Sequence, residues 1–182
     1  GNFADWQKAR EFFDAMAAIQ GWQPSLTGSG APESLAGEQV TPSYFGVLGT
    51  SPSIGRVFRA DEDIPNAPRV VVLSHQFWQR RFGGDARVIG QSLNLGGELH
   101  ESVGVMPAHF RPVIATAADV WRPRRLNLSS PARGAVVLRV VARLAPGVSI
   151  PQASASADLL SAQLATADPE WNAKTRINLV PL

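Results

Sequence analysis

Between residues 69 and 107 the chain reads RVVVLSHQFWQRRFGGDARVIGQSLNLGGELHESVGVMP, and few local structures fit that order of residues. The β-branched run of 69–73 predicts a buried strand. Ser74 then stands in capping position before a short helix that Gly83-Gly84 ends, with Phe77, Trp78 and Phe82 supplying its inward side. Asp85 caps one further turn, residues 86–89. Residues 91–95 and 98–106 flank Gly96-Gly97, a two-residue hairpin signal. Leu93, Leu95, Leu99, Val103 and Val105 share one parity, so the expectation is a single buried face that Glu101 interrupts where it meets water. None of these residues is arranged for chemistry; they cap, turn and pack.

The flanking segments carry weaker patterns. Asn2 is a candidate cap, and Trp6, Phe13, Met16 and Ala17 recur near helical spacing, with Phe12 and Ile19 widening the stripe. A first helix over residues 3–20 is therefore expected, stopped by Gly21. Residues 22–27 and 34–40, separated by a Gly- and Pro-rich turn, read as a hairpin or two nearby strands. Pro42 opens a short helical piece, 43–48, and residues 49–68 read as a surface loop holding Asp61-Glu62-Asp63. In 135–144, Val136, Leu138, Val140 and Leu144 are expected to face one way and Arg139 and Arg143 the other. Pro146-Gly147 turns the chain, and Ser149-Ile150-Pro151-Gln152 is a capping box. Ile150, Ala153, Ala157, Leu160 and Leu164 then form a helical stripe that Asp168-Pro169 ends. With a closing strand over 175–180 this makes a βαβ unit with near-parallel strands.

A length of 182 residues allows one or two modest domains, and 45% hydrophobic against 18% charged residues describes a globular chain. The longest apolar runs span a few residues, whereas a membrane helix needs about 20, so none is expected to cross a bilayer. No signal peptide pattern is read at the start either. Cysteine is absent, which removes disulfides and thiolate metal sites. The net charge is only +2, and the arginines are scattered apart from Arg122, Arg124 and Arg125, which argues against a nucleic-acid partner.

No nucleophile elbow, phosphate-binding glycine loop, dinucleotide fingerprint or paired-histidine zinc motif is present. His75 falls in the first turn of a helix, His100 on the polar face of a hairpin strand and His109 in a loop, a spacing that fits no ligand set. Asp61-Glu62-Asp63 lacks the alternating ligands and central glycine of a calcium loop. It reads as a solvated acidic loop or helix start. The run Trp121-Arg122-Pro123-Arg124-Arg125 has the composition to contact phosphates or anionic headgroups, but it reads first as structural or partner-contacting surface. No residue is assigned a catalytic, cofactor-binding or metal-binding role, and no cofactor is expected.

Four segments occur in the order seen in one known family: NFADWQKAREFFDAMAAI, VTPSYFGVLGTSPSIGRVF, VVVLSHQFWQRRFGGDARVIGQSLNLGGELHESVGVMP and LRVVARLAPGVSIPQA. Through them the chain resembles the MacB-like periplasmic core domain of ABC transporter permeases, within the FtsX-like permeases. The resemblance implies an α+β fold in two parts. A porter-like βαβ part would be formed by 1–50 and 133–182, and a smaller β-rich Sabre-like part by 51–132. It also implies a non-catalytic domain on the periplasmic side of a bacterial inner membrane, lying between the first two membrane helices of a permease and serving efflux or lipoprotein extraction. The implied partners are a second permease copy, a cytoplasmic ATP-binding subunit or domain, and a periplasmic adaptor or lipoprotein. Two other readings are weighed. A stand-alone periplasmic module would grip a ligand or lipoprotein in the cleft between the parts, and a hydrolase would gather His75, His100 or His109 beside a carboxylate.

Overall fold

The computed structural model describes residues 3, 6, 11–28, 30–114, 117–125, 139–167, 169 and 179–181. Its centre is a mixed sheet in which ten strands are joined. They are β1 (Phe13–Trp22), β2 (Ser25–Thr27), β3 (Glu33–Ser34), β4 (Gly37–Val40), β5 (Ile54–Gly55), β6 (Val70–Leu73), β7 (Ser92–Leu95), β8 (Glu98–Val105), β9 (Val120–Pro123) and β10 (Arg139–Leu144). Nine follow the order β10-β1-β4-β9-β6-β8-β7-β2-β3, while β5 pairs with β8 off that path. The β4–β9 and β6–β8 pairs are parallel and the others antiparallel. The α-helices α1 (Tyr44–Val47), α2 (His75–Phe82) and α3 (Ile150–Ala167) accompany the sheet. The arrangement is α+β, as expected.

Apolar side chains collect on both faces of the sheet. On one, Ala17, Ile19, Val40, Val70, Val72 and Trp121 meet Tyr44 and Phe45 of α1. Phe45, Phe110 and Trp121 meet there in edge-to-face and tilted contacts, with ring centroids 5.3–5.8 Å apart. On the other, Val71, Leu73, Leu93, Leu95, Val105 and Val120 meet Phe77 of α2. β6 supplies alternate residues to both layers and is buried along its whole length, which explains why it reads as a continuous apolar run.

The segment from 69 onward folds as its residues require. Ser74 Oγ accepts the Phe77 amide at 3.1 Å, and Gly83 closes α2 in the left-handed region at φ 61°. Asp85 accepts the Arg87 amide at 2.9 Å at the head of a 3-10 turn, Ala86–Val88. Gly96 and Gly97 both have positive φ, 62° and 85°, and pair Leu95 with Glu98 in a two-residue hairpin. Gly104 answers a different need. A Cβ there would lie 2.2 Å from the Arg56 carbonyl oxygen, so the close passage of β5 over β8 requires a missing side chain.

Four expectations are corrected. Residues 13–22 form strand β1 rather than the second half of a helix, and helical geometry is seen at Phe3 and Trp6. Phe13, Ala15, Ala17 and Ile19 fit period two as well as their neighbours fit 3.6, and pairing with β10 and β4 on either side decides the matter. In the hairpin, the pairing sets Leu93 opposite His100 and Asn94 opposite Leu99. Leu99 is therefore 64% exposed while His100 is 2% exposed, the reverse of a common-parity face. In β10 the buried residue is Val141, which shares its face with Arg139 and Arg143, and Val140 is half-buried. β10 also runs antiparallel to β1. The remainder of the predicted βαβ unit, at 133–138 and 175–178, lies outside the described residues. Leu179 and Val180 are not in a strand.

Elsewhere the agreement is close. β2 and β3 form the expected hairpin, and α1 ends at Gly49 with φ 67°. Gln152 Oε1 accepts the Ser149 amide at 2.8 Å at the start of α3, which buries Ala153, Ala157 and Leu164 but leaves Ile150 exposed.

Candidate functional site

The sheet brings together arginines that lie far apart in the chain. Arg122 is on β9, Arg124 and Arg125 follow it, Arg69 precedes β6, and Glu98 and His100 are on β8. β9, β6 and β8 are neighbours, so strand spacing of about 4.8 Å places these positions side by side. Together with Gln39 of β4 they line a basin of about 210 Å³.

Glu98 is the carboxylate in its wall. Its two oxygens meet Arg69 Nη2 at 2.7 Å and Arg122 Nη1 at 3.5 Å. Hydrogen bonding from Arg69 holds Glu98 below the usual carboxylate range. The Arg122 guanidinium also lies 4.0 Å from the centre of the Trp22 ring, and Trp22 in turn leans on His100 at 5.7 Å. Arg124 donates to the Gln20 side-chain carbonyl, and Arg125 donates through Nη2 to the Ala67 carbonyl at 2.6 Å. Burial lowers the pKa of all three of Arg122, Arg124 and Arg125, which nevertheless stay charged. His100 Nδ1 is 3.0 Å from the Glu98 carbonyl oxygen, an acceptor, so the ring is assigned the tautomer that donates from Nδ1. Burial pushes His100 below its ordinary value, and it stands neutral at pH 7.

Opposite this basin, on the α1 side, a second polar group is sealed in the core. Glu38 is 1% exposed, and its Oε2 accepts Trp121 Nε1 at 2.8 Å and the Tyr44 hydroxyl at 3.2 Å. Tyr44 in turn accepts the Val113 amide at 3.2 Å. Burial first, then the Glu38 charge, raises the Tyr44 pKa, so its hydroxyl stays a donor. These bonds tie β4, β9, α1 and the 113 loop together without leaving a reactive proton accessible.

The residues singled out from the sequence are scattered by the fold. His75 lies half-buried at the head of α2 against Trp78, beside a separate concavity of about 180 Å³, and His109 is exposed in a loop. These two concavities hold one histidine each, His75 in the one and His100 in the other. Among the described residues the basin that holds His100 is lined by no serine, threonine, cysteine or lysine, and its carboxylate is held by two arginines. Glu62 is buried rather than solvated, gripped by Arg56 at 2.6 and 3.0 Å and by the Arg59 amide. Among the described residues no group of three His, Cys, Asp or Glu is placed to hold a metal ion. Phe77, Trp78 and Phe82 pack in the core as expected. Sequence reasoning found Arg122, Arg124 and Arg125 but missed Arg69, Glu98, Gln39 and Trp22, because only strand order joins them.

The fold is thus an α+β domain, a mixed sheet accompanied by helices. The chain belongs to the MacB-like periplasmic core domain family, whose sequence profile matches residues 2–160. It is thus the periplasmic domain of a MacB-like ABC transporter permease. The fold is similar to the periplasmic region of MacB from Actinobacillus actinomycetemcomitans, at TM-score 0.70 and 15% identity, covering 93% of this chain and 75% of that one. It is equally similar to the extracellular domain of the noncanonic ABC-type transporter YknZ from Gram-positive bacteria, at TM-score 0.70 and 14% identity, covering 96% and 86%. A domain of a putative permease protein from Porphyromonas gingivalis aligns at TM-score 0.61 and 15% identity, covering 93% and 76%. No curated protein matches the chain. No helix among the described residues is long and apolar enough to cross a membrane.

Proposed function

We propose that this domain is a non-catalytic transmitter, passing conformational change from the membrane part of its permease to partners or substrate outside. The observation that carries the reading is the position of β1 and β10. The first and last described strands lie side by side at one edge, and hydrogen-bonded pairing continues from them without a break to the β2–β3 hairpin at the other. Gln23 and Pro24 also join the end of β1 directly to β2, so the two ends of the strand order are linked through the chain as well as through the sheet. A close-packed sheet with apolar layers on both faces moves as a body rather than deforming, so displacement entering at one edge reaches the other.

The division into a porter-like part (1–50 and 133–182) and a Sabre-like part (51–132) belongs to the same proposal. Pairing of β4 with β9 and of β2 with β7 crosses between these ranges, so the two parts would travel together. The partners proposed are a second permease copy, a cytoplasmic ATP-binding subunit or domain and a periplasmic adaptor or lipoprotein. Removal of the domain from its permease should abolish transport and leave ATP binding intact. Transport that persists without it would contradict the role.

A further inference from the structure

We infer that the basin formed by Arg69, Arg122, Arg124 and Arg125 is a binding site for a phosphate group. The inference stands apart from the transmitter role, since it needs only the basin.

Its charge is unbalanced. Glu98 serves Arg69 and Arg122, whereas among the described residues the guanidinium hydrogen bonds of Arg124 and Arg125 end on neutral oxygens of Gln20 and Ala67. The Nε of Arg124 is buried without a hydrogen-bond partner. Asp63 adds a negative charge near Arg124 and Arg125, which still leaves more positive than negative charge around the basin. Three of the arginines are partly desolvated, and Arg69 and Arg125 repel one another. An anion seated between them relieves both penalties.

The basin is also organised in advance. Arg122 lies over the Trp22 ring, and Arg125 has a left-handed backbone at φ 55° with Nη2 fastened to the Ala67 carbonyl. Groups already held in place lose little freedom when a ligand arrives. Planar guanidinium forks match the oxygens of phosphate and bind it in bidentate fashion. A volume of about 210 Å³ leaves room for a phosphate group. The phosphate can come from a soluble phosphate ester or from a lipid headgroup.

Two measurements on the 182-residue chain separate those sources. One is a calorimetric titration with inorganic phosphate at constant ionic strength. The other is co-sedimentation with phosphatidylglycerol vesicles and with phosphatidylcholine vesicles. Saturable phosphate binding without vesicle binding assigns a soluble ligand, and preferential sedimentation with phosphatidylglycerol assigns a headgroup. In either case Arg122→Gln and Arg124→Gln should weaken binding by about tenfold or more, and Arg87→Gln, on the exposed Asp85 pair, should not. Circular dichroism checks the fold. If Arg122→Gln unfolds through loss of its Trp22 contact, Arg124→Gln carries the test. No saturable binding to either probe, or binding unchanged in both variants, would overturn the site.

Discussion

His100 shows how one side chain couples the basin to stability. Burial is the main cause of its lowered pKa, with Arg122 adding to it and the Glu98 carbonyl and carboxylate opposing. A histidine with a folded pKa below its unfolded value stabilises the fold above about pH 6.5 and loses that contribution as the pH falls towards the folded value. Unfolding midpoints in urea should therefore drop as the pH falls below about 6.5, and His100→Gln should flatten that limb. Glu62 and Glu98 titrate in a separate window. Burial opposes the lowering of Glu62, but Arg56 and the Arg59 amide outweigh it, and Arg69 lowers Glu98. Their stabilisation is present above 4.5 and lost below it, so a limb that persists unchanged in His100→Gln would argue against the histidine.

Among the elements, the β7–β8 hairpin is the clearest case of a local signal read correctly and extended too far. Gly96-Gly97 placed the turn, but pairing across a two-residue turn joins residues of opposite parity, and this turned Leu99 outward and His100 inward. Beyond that, β8 carries an irregularity in its pairing with β6 between Val71 and Val72. Val103 consequently joins the α1-side layer while Val105 joins the α2-side layer. Leu93→Ala should cost about 2–5 kcal/mol and Leu99→Ser less than about 0.5 kcal/mol in urea unfolding. Equal costs would mean that the two leucines share a face after all. Strand β1 failed for another reason: alanine and methionine favour helices in isolation, and only the two strands flanking β1 override that preference.

For the molecule as a whole, a sheet paired without interruption predicts graded protection. Amide exchange should be slowest in β4, β6 and β9, which pair on both sides, and fastest in the two-residue edge strand β3. A fast-exchanging β9 would weaken the transmitter argument, since β9 joins β4 to β6 within the sheet. The α+β class, the caps at Ser74, Asp85 and Ser149, the glycine turns and the buried run of β6 were all determined by local sequence, because capping, positive φ and apolar runs act over a few residues. Strand order, the fate of residues 13–22, the Glu38 core network and the union of Arg69 with Arg122, Arg124 and Arg125 were decided only by tertiary structure. Those features depend on hydrogen bonds and charges between segments tens of residues apart, and no local pattern encodes which strand a given strand will meet.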